Sequence, residues 1–89
     1  MNYLHYEFDL HANDVVEVTI DKQANVRLMD EVNFLFYRDG KQHHYFGGHA
    51  KESPVQISAP RAGHWHVVID LGGYPGTVRA SARVLQGVP

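Results

Sequence analysis

The stretch Gly63-His64-Trp65-His66-Val67-Val68-Ile69-Asp70 is the densest run of chemistry-bearing side chains in the sequence. Read as a β-strand, it sets His64, His66, Val68 and Asp70 on one face and Trp65, Val67, Ile69 and Leu71 on the other. The two imidazoles then stand about 7 Å apart on a shared face, following the rise of an extended chain. Nitrogens from two such histidines can converge on one divalent cation such as Zn²⁺, with His44 or His49 expected as a third ligand. The competing reading makes these histidines hydrogen-bonding residues of a half-exposed face that hold no metal. The two readings differ on whether the His64/His66 face turns toward a cavity or toward bulk water.

Other chemistries find less support. Ser53, Ser58 and Ser81 are the serines, and none sits in a Gly-x-Ser-x-Gly turn that would present a nucleophile. Asp30 and Glu31 are adjacent, and neighbours on a strand point to opposite faces, so they do not form a catalytic carboxylate pair. Gly47-Gly48 and Gly72-Gly73-Tyr74-Pro75-Gly76 lack a P-loop lysine and dinucleotide-binding spacing, which leaves turns or close backbone approaches. Arg79 and Arg83 share a strand face suited to a carboxylate or phosphate, and Tyr74 is the best-placed aromatic for a recognition platform on a loop. These three are the candidate ligand-binding residues. The expectation is a non-catalytic binding or interaction module, with a small metal-binding protein or metal-dependent enzyme using His64 and His66 as the alternative.

Such residues need elements to hold them, and the periodicity is two nearly everywhere. Val16, Val18 and Ile20 alternate with Glu17 and Thr19, and Val78, Ala80, Ala82 and Val84 alternate with Arg79, Ser81 and Arg83. Val32, Phe34 and Phe36 read as another such set, and Asp39-Gly40 between aromatic runs reads as a hairpin turn. The spacing predicts eight strands, over residues 2–8, 14–20, 25–30, 32–38, 41–46, 54–59, 64–71 and 77–85, with no helix. The expected fold is all-β: an antiparallel, jelly-roll-like β-sandwich, with a small closed barrel as the alternative.

Composition bounds the rest. Eighty-nine residues make one domain, spanning 1–89. Eight basic against ten acidic residues exclude a strongly basic nucleic-acid binder. No apolar run approaches the roughly 20 residues of a membrane helix, and the first residues lack the basic start of a secretory signal. With no cysteine, a reducing, cytoplasmic setting is expected. Seven histidines make the sign of the net charge sensitive to mild acidification. Unprotected sheet edges allow a homodimer by strand addition.

The segments Asn25-Val26-Arg27-Leu28-Met29-Asp30, Asn33-Phe34, Gly47-Gly48-His49, Ser53-Pro54-Val55, Gly63 to Asp70, Gly72-Gly73-Tyr74 and Val78-Arg79-Ala80-Ser81 together resemble the bacterial family called domain of unknown function 1883. The resemblance runs from Leu4-His5-Tyr6 to Val84. It implies a compact bacterial β domain, standing alone or joined to a TIR domain, with no catalytic residues assigned. Beside a TIR partner, such a domain would sense or recruit.

Overall fold

Alternating β-branched and aromatic residues form most of the chain's regular structure. The computed structural model describes residues 2–86. Its strands are β1 (Leu4–Leu10), β2 (Val15–Ile20), β3 (Ala24–Asp30), β4 (Phe46–Ala50), β5 (Val55–Ser58), β6 (Gly63–Asp70) and β7 (Ala80–Leu85). One helix, α1 (Glu31–Arg38), follows β3 directly. The strands form two sheets with orders β1-β6-β3-β4 and β5-β2-β7, and every pairing is antiparallel. Neither sheet closes on itself, so the fold is not the closed barrel considered from sequence.

Both sheets contribute to one core. Val16, Val18 and Ile20 of β2 and Ile57 of β5 meet Leu10, Val26, Leu28, Trp65, Val67 and Ile69 of the larger sheet. Each large apolar side chain buried there contributes about 1.5–3 kcal/mol. The period-two reading of β2 and β6 therefore assigned the correct inward faces. Trp65 also ties down the chain before β6, donating from Nε1 to the Arg61 carbonyl (3.1 Å).

The described residues hold seven strands rather than eight, because residues 31–38 are helical. The Asp30 carboxylate accepts from the Asn33 N–H (3.0 Å) and caps the first turn. Glu31 lies in the first turn and Arg38 in the last, as the helix dipole favours. At the other end, Gly40 N–H donates to Tyr37 O and Lys41 N–H to Phe36 O, with Gly40 at φ 71°. That is a Schellman closure, so Asp39-Gly40 ends a helix and does not turn a hairpin. Val32, Phe34 and Phe36 thus do not share a face. Phe34 is buried, and with Met29 and Val68 it forms a second cluster, against which Tyr3, Leu35 and Tyr37 pack.

The strand predicted over 41–46 is also displaced, since β4 begins at Phe46 and includes Gly47 and Gly48. The two glycines lie within the ladder opposite Arg27 and Val26, and do not form a turn. A side chain at Gly47 would collide with the Val26 carbonyl oxygen, and the residue has φ 101°. The close approach expected of this pair is therefore real, and it occurs between paired strands.

Candidate functional site

The antiparallel register of β1 on β6 places Glu7 opposite His66 and Asp9 opposite His64. Leu4, Tyr6 and Phe8 of β1 pack against the core, so His5, Glu7 and Asp9 line the outer face that carries His64 and His66. Helix α1 covers part of that face. Its Asp30 cap fixes the helix start, and Glu31 and Phe34, three residues apart, both reach His66.

His66 is 2% exposed, and both of its ring nitrogens are engaged. Nε2 lies 2.8 Å from Glu31 Oε2, and Nδ1 lies 2.8 Å from His5 Nε2 and 3.7 Å from Glu7 Oε1. A carboxylate only accepts, so Nε2 of His66 carries hydrogen, and in the neutral ring Nδ1 accepts from the Nε2–H of His5. The Phe34 ring lies flat against both imidazoles, 4.2 Å from His66 at 2° and 4.3 Å from His5 at 14°. Desolvation first, and then the neighbouring His66, hold the His5 pKa below its ordinary value.

His64 sits between two carboxylates. Nε2 is 3.0 Å from Glu7 Oε1, and Nδ1 is 2.8 Å from Asp9 Oδ1. The hydrogen bonds to Glu7 and then Asp9 push its pKa up to about 9, and the bond to His64 lowers that of Glu7. At neutral pH this ring is an imidazolium clamped to β1.

Among the described residues, two sets offer ligand atoms lying within 4.8 Å of one another: His5, Glu7 and His66, and Glu31, His64 and His66. Two imidazoles and a carboxylate are a donor set for zinc or another first-row divalent ion. The carboxylate of Glu31 on the far nitrogen of His66 is the outer partner that commonly orients a metal-binding histidine.

Residues 1–87 match the family described as Domain of unknown function (DUF1883). The chain belongs to the DUF1883 family. No curated protein and no solved structure matches it. Among the described residues of this DUF1883 chain, no helix is long and apolar enough to cross a membrane.

The fold brings His64 and His66 together, and it places His44 and His49 elsewhere. His44 precedes β4, and its N–H donates to Asn33 Oδ1 (2.8 Å). His49, on β4, has Nε2 3.1 Å from Gln23 Oε1. The neighbours supplied in their place are His5, Glu7, Asp9 and Glu31. A signal for the first three was present in the alternation of His5, Glu7 and Asp9 with Leu4, Tyr6, Phe8 and Leu10. Glu31 becomes visible only once 31–38 is known to be helical.

Tyr74 is 80% exposed on the loop between β6 and β7 of this DUF1883 chain. It lines a cleft of about 470 Å³ together with Tyr3, Leu4, Leu71, Pro75 and Val78. The two arginines lie outside that lining. Arg83 is bound to Glu17 across β2–β7, with Nε 2.8 Å and Nη2 2.7 Å from Oε1. Arg79 is bracketed by Asp21, which accepts from the Arg79 N–H and donates its own N–H to the Arg79 carbonyl.

Proposed function

We propose that this DUF1883 chain is a non-catalytic binding module whose bound species is a divalent metal ion, held by His5, Glu7 and His66. The observation that carries this reading is convergence: a buried imidazole fixed from behind by Glu31 turns its other nitrogen toward His5 and Glu7. Zinc is the first ion to test, because it tolerates mixed nitrogen and oxygen donors at a three-residue site. We read the two sheets as the layers of a sandwich, since side chains of both meet in one core. The cysteine-free composition supports a reducing, cytoplasmic setting.

The test is elemental analysis of tag-free protein purified without chelator, followed by calorimetric titration with Zn²⁺. The expected result is about one ion per chain and a higher melting temperature with metal present. Because His5 and Glu7 are exposed, the His5→Ala/Glu7→Gln double variant should fold, and it should lose the uptake. Undiminished uptake by a folded double variant would overturn the reading.

A further inference from the structure

The three donors of the proposed site are unevenly placed. His66 is buried beneath α1, and Phe34 forms a flat floor under the rings of His5 and His66. His5 and Glu7 are exposed. An ion seated among them would be enclosed by protein on the Phe34 side and open to solvent on the other.

The nearby groups that could add a fourth protein ligand each hold another side chain of the cluster in place. Glu31 is held on Nε2 of His66 at 2.8 Å, and Asp9 on Nδ1 of His64 at 2.8 Å. Nε2 of His64 faces the same Glu7 oxygen that approaches His66, so it orients this carboxylate. Recruiting Glu31 or His64 to the ion would break a hydrogen bond that positions a ligand, and recruiting Asp9 would release His64. Zinc takes four ligands in most sites, and other first-row ions take up to six. Three protein donors leave at least one position unfilled. Only one of the three donors is anionic, so a divalent ion keeps residual positive charge on its solvent side.

We infer that the metal ion of this module is coordinatively open, held by His5, Glu7 and His66 alone, and that its open side takes an exchangeable small anion that binds through oxygen, of the carboxylate or hydroxamate class. This inference rests on the metal-binding reading above and deepens it. The module would then be a receptor for such an anion, with the ion as the point of contact and the Phe34-backed imidazoles as its rigid support. A closed structural site, by contrast, would recruit a fourth protein ligand, with His64 the remaining imidazole of the cluster.

Cobalt distinguishes these cases, because the visible bands of Co²⁺ report its coordination number and ligands. The full chain is loaded with Co²⁺ and titrated with acetohydroxamate, and the same titration is run on His64→Ala. The expected result is Co²⁺ bands that change saturably with acetohydroxamate in both proteins, with weaker Co²⁺ binding in His64→Ala, where Glu7 loses its orienting partner. Co²⁺ bands that do not respond to acetohydroxamate would overturn the open site while leaving the metal reading intact. A spectrum that becomes responsive only in His64→Ala would identify His64 as the fourth ligand, with the same consequence. Failure of the chain to bind Co²⁺ at all would remove both.

Discussion

Asp30 carries two roles whose energies can be separated. Its Oδ1 accepts from the N–H and the side-chain amide of Asn33 at the start of α1, and its Oδ2 meets Arg61 Nη2 at 2.7 Å. Removing an N-cap costs about 1 kcal/mol, within a range of roughly 0.5–2. The ion pair with Arg61 joins side chains that are 60% and 30% exposed, and pairs in such settings contribute about 0.2–1 kcal/mol. Asp30→Ala should therefore lose about 1.2–2 kcal/mol, which for a domain of this size lowers the melting temperature by roughly 5–16 °C. Asn caps as well as Asp does, so Asp30→Asn should lose only the ion pair, at most about 1 kcal/mol. Urea unfolding followed by circular dichroism, run on both variants and the parent, measures these differences. If Asp30→Asn is as destabilised as Asp30→Ala, the cap is not what secures α1, and the account of how Glu31 and Phe34 reach His66 fails with it.

Two further outcomes follow from the backbone and from the buried acid. Gly47→Ala should destabilise far more than Gly40→Ala: both sites have positive φ, but an added Cβ meets the Val26 carbonyl at Gly47 and nothing within 4 Å at Gly40. Gly40→Ala should cost about 1 kcal/mol, and equal melting temperatures for the two variants would contradict the close β3–β4 approach. Burial alone would raise the pKa of Asp70, but hydrogen bonds from Asn25, Tyr37 and the Gly72 N–H, with Arg27 beside it, hold it below the ordinary value. A carboxyl depressed on folding stabilises above its unfolded pKa of about 3.9, and that contribution fades as pH falls through the lower folded value. The stability gap between parent and Asp70→Asn should therefore narrow below about pH 4, and urea titrations showing a constant gap from pH 6 to pH 3 would refute this.

Where one face of a strand is apolar and the other polar, the sequence announces the strand, and β2, β6 and β7 were legible for that reason. Residues 31–38 were not, because eight residues are too few to separate a period of 2 from one of 3.6. Val32, Phe34 and Phe36 fit the first, and Phe34 with Tyr37 fits the second. The deciding signals lay at the ends, in the Asp30 cap and in Gly40. A glycine at φ 71° serves a hairpin and a helix terminus equally well, which is why Asp39-Gly40 misled. The site was half visible for a related reason. His64 and His66 stand two apart in one strand, whereas His5 and Glu7 join them only through a pairing between residues about sixty positions away, and local spacing carries no trace of such a pairing.

That pairing also governs the order in which the molecule can assemble. Strand β1 has β6 as its hydrogen-bonding neighbour, and the β2–β7 ladder likewise joins early residues to late ones. During synthesis the strand bearing His5 and Glu7 emerges before its partner and can pair only after residues 63–70 have been made. Folding should accordingly be slow for a chain of this length, as in other proteins dominated by long-range contacts. Until then β1 is an unpaired edge with alternating apolar residues, the kind of surface that associates with other chains while it waits. The histidine–carboxylate cluster comes together with the closing of the β1–β6 ladder, so no fragment ending before β6 can carry it.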